Sequence, residues 1–278
     1  MTLIEALRAG AARLAAAGIE GAQRDADRLL SHVLEVEAPM VRLGAQHRMS
    51  VDEARAYDAA LERRAACEPV SRIIGRRLFW GRWFEVTPDV LDPRPETELI
   101  VALAGEGPPP VRILDLGTGS GILAVTLLAE HARATGVATD ISEGALATAA
   151  RNAASNGVGS RLRFHPSDWF AGVEGRFDLI VSNPPYISEE EMTGLAPEVL
   201  GFDPRQALTP GGDGLGSYRE IAAGLSAHLT PGGRVLVEIG PLQGPAVRDI
   251  FAQAGLEGLR IHADMDGRDR VVSARLAG

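Results

Sequence analysis

Val111-Arg112-Ile113-Leu114-Asp115-Leu116-Gly117-Thr118-Gly119-Ser120-Gly121, followed by the helical run 122–130, reads as a strand, a Gly-rich turn and a helix. The run 111–116 has the continuous apolar character of a strand buried on both faces, as in a parallel sheet. Glycines let the backbone come close to a ligand, and a helix N-terminus presents N–H groups to a carboxylate or phosphate. A dinucleotide fingerprint needs its third glycine one place later, where Ile122 stands, and a Walker loop needs a Lys that is absent.

Strands and helices alternate outward from this stretch. The run 135–140 is a second strand ending in Asp140, whose carboxylate is placed to accept hydrogen bonds from both ribose hydroxyls of a nucleoside. A helix over 143–156 returns the chain to a third strand, 161–165, and Asp168-Trp169-Phe170 follows in loop position. Asp168 can accept the exocyclic NH2 of adenine and Trp169 can offer an apolar or stacking surface; as purely structural residues they are a turn residue and a core anchor. A fourth strand, 177–182, ends at Asn183-Pro184-Pro185-Tyr186. Two prolines fix φ near −65° and bar Asn183 and Pro184 from helical geometry, so the turn is stiff. It offers a side-chain amide, rigid carbonyls and an aromatic face, a set that accepts hydrogens from a flat NH2-bearing group. The structural alternative is a Pro-Pro turn with Asn183 bonded to its own backbone.

The alternation predicts a doubly wound parallel sheet with its first and fourth strands adjacent, which brings 117–121 beside Asn183. The segment after Tyr186, with Glu198, Asp203-Pro204-Arg205 and 211–215, reads as a long loop of the kind that serves as a lid. A helix over 217–228, a turn at Pro231-Gly232-Gly233, a strand over 234–239 and a helix near 247–254 follow. Two closing strands lie near 259–263 and 270–275.

Residues 1–70 carry helical periodicity, with capping-box spacing at Thr2/Glu5 and Ser50/Glu53, and form a small helical bundle domain. Its many arginines, among them Arg13, Arg24, Arg42 and Arg64, read as a solvated face or as a docking surface for a protein or RNA partner. Residues 71–92, rich in aromatic and β-branched residues around glycines, read as a connecting β-hairpin, with Trp80 and Trp83 fastening it to its neighbours. The third domain spans 93–278. In Pro93-Arg94-Pro95-Glu96-Thr97-Glu98, Thr97 or Glu96 caps the following helix, or the segment forms a wall near a site.

The chain has 278 residues, 45% hydrophobic and 23% charged, which suits a globular protein with a substantial core. A net charge of −9 argues against broad contact with nucleic acid phosphate. Cys67 is the only cysteine, which excludes an intramolecular disulfide and a Cys-based cluster. Without metal-ligand spacing among the histidines, a signal-peptide run or an apolar membrane span, the expectation is a metal-free, cytoplasmic, monomeric protein with no membrane association.

The spacing of 117–121 resembles the first motif of S-adenosylmethionine-dependent methyltransferases. Together with 93–98, 114–121, Asn183-Pro184-Pro185-Tyr186-Ile187, Val237-Glu238-Ile239-Gly240 and Gly267-Arg268-Asp269-Arg270, it resembles the HemK/PrmC protein-glutamine methyltransferases. The resemblance spans nearly the whole chain and departs at Asp203, where Glu is common in the family. It implies a Rossmann-like methyltransferase domain, S-adenosyl-L-methionine as cofactor, and methylation of the glutamine side-chain amide in the Gly-Gly-Gln motif of peptide chain release factors, in translation termination. Gly117, Thr118, Gly119, Ser120, Gly121, Asp140, Asp168, Trp169 and Asn183 are then expected to bind the cofactor. Asn183, Pro184, Pro185 and Tyr186 are expected to bind the substrate, with Asn183, Pro184 and Tyr186 taking part in catalysis. Because an amide nitrogen is a poor nucleophile, the Asn183 oxygen and the Pro184 carbonyl are read as acceptors that aim its lone pair. Two rival readings are an adenine amino methyltransferase acting on DNA or RNA and a non-catalytic cofactor-binding adaptor.

Overall fold

The computed structural model describes all 278 residues apart from the side chain of Ala38. The chain divides into two compact units, one made of residues 1–76 and 196–202, the other of 77–195 and 203–278.

The first unit is a helical bundle: α1 (Leu3–Ala16), α2 (Ala22–Val33), α3 (Ala38–Leu43), α4 (Val51–Ala65) and α5 (Val70–Ile74). Thr2 with Glu5 and Ser50 with Glu53 form complete capping boxes at the starts of α1 and α4, and each N-cap side chain contributes about 1 kcal/mol. The apolar faces of α1, α2 and α4 meet in one core around Leu7, Leu14, Leu29, Leu30, Tyr57 and Leu61. Gly10 is required for this packing, since a Cβ there would run into the Tyr57 hydroxyl. Not all of the arginines face solvent. Arg64 is buried and pairs with Asp25 at 2.9 Å and with Glu198 at 2.6 Å. Ile73 and Ile74, read from sequence as hairpin residues, instead belong to α5, where Ile73 packs into the bundle core.

The hairpin itself is confined to β1 (Arg76–Phe79) and β2 (Arg82–Glu85). Its two-residue turn places Trp80 and Gly81 both at positive φ, the geometry that matches the twist of paired strands. Trp80 packs against the core, whereas Trp83 is 48% exposed and its carbonyl accepts the Asn156 amide at 3.2 Å.

In the second unit a short turn, Pro95–Thr97, leads to α6 (Glu98–Gly105), β3 (Arg112–Leu116), α7 (Ile122–Glu130), β4 (Thr135–Asp140), α8 (Glu143–Ser155), β5 (Leu162–Pro166) and β6 (Phe177–Ser182). The segment expected to be an open loop contains α9 (Glu189–Met192), α10 (Pro197–Phe202, in the first unit) and α11 (Arg205–Leu208). Ser188 and Glu191 close a capping box on α9, a local signal strong enough to order it. Then come α12 (Gly216–His228), β7 (Leu229–Glu238), α13 (Gly244–Gln253), β8 (Glu257–Ala263) and β9 (Asp269–Arg275). Pro231-Gly232-Gly233 is no turn between elements. It lies within β7 as an irregularity where the register to β6 shifts, and Thr230 and Gly233 pack close to the Phe177 carbonyl.

The seven-stranded sheet runs β5-β4-β3-β6-β7-β9-β8, parallel except for β9, which is antiparallel to both neighbours. Alternation along the strands divides the core: Ile113, Leu179 and Val181 face α6 and α7, while Leu114, Leu116 and Ile180 face α12 and α13. Leu116 pairs with Ser182, so β3 and β6 end level and their following turns open on the same sheet edge. That is the topological switch point of a doubly wound sheet. No helix is long and apolar enough to cross a membrane.

Candidate active site

At that edge lies a cavity of about 500 Å³, walled by the turn after β3, the end of β4, the loop after β5 and the turn after β6. Gly117, Thr118, Gly119 and Ser120 line it. Gly117 (φ 66°) and Gly119 (φ 56°) adopt the left-handed region, and a Cβ at either would meet no atom of the chain. The space is thus open beside a backbone that only glycine adopts without strain. Gly121 does not line the cavity. Its φ of 84° starts α7 and a Cβ there would press on Ala149 at 3.1 Å, so this glycine serves helix packing.

Asp140 holds the turn in place. One carboxylate oxygen accepts the Gly119 N–H at 2.9 Å and the other accepts the Ser142 N–H at 2.9 Å, and Asp140 lines the cavity. Burial raises its pKa, opposed by hydrogen bonds from the Ser142, Gly119 and Ile141 backbone. Asp168 and Trp169 also line the cavity. Trp169 sits at φ 51°, a strained conformation for a bulky residue, and the Ser167 hydroxyl, with one hydrogen to give, lies 2.9 Å from the Trp169 carbonyl and 2.7 Å from the Ala171 carbonyl.

Opposite, Asn183 and Pro185 line the cavity, and Pro184, buried between them in the chain, and Tyr186 adjoin it without lining it. The Pro185 carbonyl accepts the Ser217 hydroxyl at 2.8 Å and the Tyr186 carbonyl accepts the Gln243 amide at 2.8 Å. Among the described residues no donor reaches the Pro184 carbonyl. The Asn183 amide does not bond its own backbone: its NH2 donates to the Thr97 hydroxyl at 3.1 Å. Thr97 in turn donates to Glu238 at 2.6 Å, and the Tyr186 hydroxyl lies 3.4 Å from the other Glu238 oxygen. Thr97 therefore makes no side-chain cap on α6, and of the segment 93–98 Pro93 and Arg94 line the cavity.

Residues 97–215 match the Methyltransferase small domain family model, and residues 5–75 match that of the PrmC N-terminal domain. The chain is 56% identical to the release factor glutamine methyltransferase of Cereibacter sphaeroides, with 99% of each chain covered. It is 44% identical to that of Rhodospirillum rubrum, covering 96% of this chain and 82% of the relative, and 42% identical to that of Agrobacterium fabrum, covering 99% and 97%. The chain belongs to the release factor glutamine methyltransferase family. Among solved structures, a methyltransferase from Pyrococcus furiosus aligns with a TM-score of 0.55 at 20% identity, over 72% of this chain and 91% of that one. The hMettl16 catalytic domain aligns with a TM-score of 0.57 at 14% identity, over 70% and 74%. These two share the fold of the sheet domain.

Two carboxylates of this family member escaped the sequence reading. Asp115 is 1% exposed and lines the cavity; it accepts the Thr118 hydroxyl at 2.6 Å and the Ala124 N–H at 3.1 Å, while its other oxygen has no partner among the described residues. Burial pushes its pKa up to about 7. Glu238 is likewise 1% exposed and pushed up to about 7 by burial, against the Thr97 hydroxyl and the Arg270 charge. Each sits inside an apolar strand run, and a charge in such a run is itself a signal of function, because burying it without a partner is costly. Arg94, at 2.7 Å from Asp203, adds a cation to the cavity wall.

Proposed function

We propose that this protein methylates the side-chain amide nitrogen of the glutamine in the Gly-Gly-Gln motif of peptide chain release factors, with S-adenosyl-L-methionine as methyl donor. The observation that carries this reading is the Asn183 amide, fixed on the cavity wall opposite the Gly-rich turn with its NH2 directed to Thr97 and its oxygen left to accept. The donor's parts fit the residues present: Asp140 offers two acceptors to a ribose, Asp168 and Trp169 an acceptor and a face to a base, and the unpartnered oxygen of Asp115 an acceptor to an ammonium. Gly117, Thr118, Gly119 and Ser120 give the backbone approach that such a ligand needs, and Gly121 sets the start of the helix behind them.

When bound, the cofactor supplies a methyl already activated on a sulfonium. The chain's residues supply positioning. The Asn183 oxygen and the Pro184 carbonyl each accept one hydrogen of the glutamine amide, which directs its nitrogen lone pair across the cavity. Pro185 keeps the turn rigid, and Tyr186, anchored on Glu238, packs behind it. Glutamate in place of glutamine would set negative oxygens against these acceptors and is rejected. The helical unit, which reaches residue 76 rather than the expected 70, is the docking domain for the release factor, with the hairpin as connection and the sheet unit as catalytic domain; the separate family match over residues 5–75 and the bundle's own apolar core support this division. The same reading takes the protein as a cytoplasmic monomer acting on protein rather than DNA, in keeping with its net charge of −9 and single cysteine.

The test is incubation of the full chain with release factor and cofactor, followed by mass spectrometry of the Gly-Gly-Gln peptide. A methyl on the glutamine amide is expected, with single-turnover transfer falling by at least about 10²-fold in Asn183→Ala at little cost in cofactor affinity. Methyl found only on nucleic acid, or a wild-type rate in the Ala variant, overturns the proposal.

A further inference from the structure

The turn after β6 has one internal degree of freedom left. Pro184 and Pro185 fix their own φ, the Pro185 and Tyr186 carbonyls are tied to Ser217 and Gln243, and the Ser182 hydroxyl is tied to the Leu116 carbonyl at 2.7 Å. The terminal torsion of an Asn side chain has a broad two-fold profile, so nothing intrinsic to Asn183 decides whether its oxygen or its NH2 faces the cavity. An NH2 facing the cavity would meet the hydrogens of an incoming amide.

Counting hydrogens along the buried chain removes the ambiguity. The Thr97 hydroxyl has one hydrogen and donates it to Glu238 at 2.6 Å, so toward Asn183 it can only accept, and the Asn183 group 3.1 Å from it is the NH2. Glu238 can only accept once it is ionised: burial raises its pKa to about 7, against the pull of Arg270, itself paired with Asp264 at 3.2 Å, so the relay in this direction is complete above that pH, with the Tyr186 hydroxyl approaching the second oxygen. Thr97 is fully buried and Glu238 nearly so, so water does not compete for either bond.

We infer that Thr97 and Glu238 are positioning residues for methyl transfer: the relay from Glu238 through Thr97 holds the Asn183 oxygen toward the substrate amide. Neither residue lines the cavity, and both act through Asn183. The same relay gives the site its preference for a group that brings two hydrogens and no lone pair in the amide plane, that is, a primary carboxamide over a carboxylate. This inference rests on the proposed role of Asn183 as acceptor.

The test is single-turnover methyl transfer at saturating release factor and cofactor. Thr97→Val keeps shape and removes the hydroxyl; the rate is expected to fall about 10-fold or more, with cofactor affinity unchanged. Thr97→Ser, which restores the hydroxyl, is expected to transfer within about 3-fold of wild type. In the Asn183→Ala background Thr97→Val is expected to change nothing further, because the group it positions is gone. Where Thr97→Val does not fold, Thr97→Ala removes the same hydroxyl and carries the test. A wild-type rate in the hydroxyl-less variant, or the same fold-loss in both backgrounds, overturns the positioning role. A wild-type rate in Asn183→Ala overturns instead the acceptor role on which the inference stands.

Discussion

Replacing Asp140 by Ala tests the cofactor half of the site without touching the substrate half. In the structure the Asp140 oxygens already accept backbone N–H groups, from Gly119 and from Ser142, both at 2.9 Å, and a carboxylate's remaining lone-pair capacity is what a ligand hydroxyl would use. A hydrogen bond to a charged group contributes about 1.5–3 kcal/mol net. Two ribose hydroxyls would double that, but burial already raises the Asp140 pKa, which marks a carboxylate that gives up part of its gain to desolvation. A net loss of about 1.5–3 kcal/mol follows, or about 10- to 150-fold in Kd for S-adenosylmethionine. Isothermal titration calorimetry on the full chain reads it directly, with a thermal melt to show that the variant is folded. Asp140→Asn keeps one oxygen acceptor and is expected to fall between wild type and Ala. Unchanged affinity in a folded Ala variant would remove Asp140 from the binding site and with it the reading of the β4 terminus.

Gly119→Ala places a Cβ in the cavity at a φ of 56°, so cofactor affinity is expected to fall by at least about 10-fold while the unfolding free energy, read by denaturant titration, drops only by the roughly 1–2 kcal/mol of a left-handed non-glycine; equal affinity would show that the turn does not face the ligand. Burial raises Glu238 from 4.5 to about 7, so its contribution to stability is complete below pH 4.5 and is lost as pH rises through 7, a change on the order of 3 kcal/mol. Glu238→Gln abolishes that titration, and the fall in melting temperature from pH 5 to pH 8 should be smaller in this variant than in wild type, an equal fall counting against the buried carboxyl. Arg64→Ala leaves the buried Asp25 carboxylate with only the exposed Arg24 at 3.8 Å, and the bundle should lose about 3–5 kcal/mol by denaturant titration; a loss below about 1 kcal/mol would show that water or Arg24 compensates the charge.

What the sequence determined on its own is what local chemistry dictates. The Gly-rich turn was legible because glycine takes without strain the left-handed φ found at Gly117, Gly119 and Gly121, and the strand–turn–helix order because the apolar run of 111–116 changes to helical spacing at Ile122. The capping boxes at Thr2 and Ser50 were legible for the same reason, since cap and partner lie three residues apart. The adjacency of β3 and β6 followed from the alternation of elements, because right-handed crossovers leave few other ways to order a parallel sheet. The segment after Tyr186 was misread because its helices are only four to six residues long, too short to show a period. Arg64 could not be told from its solvent-facing neighbours, because burial depends on Asp25 and Glu198, 39 and 134 residues away along the chain. The relay from Glu238 through Thr97 to Asn183 lay beyond sequence reading for the same cause. Its members are 141 and 86 residues apart, and no spacing rule links them. Only the packing of α6 against β7, and of β6 beside both β3 and β7, places one hydroxyl where its single hydrogen decides which atom of Asn183 the substrate meets.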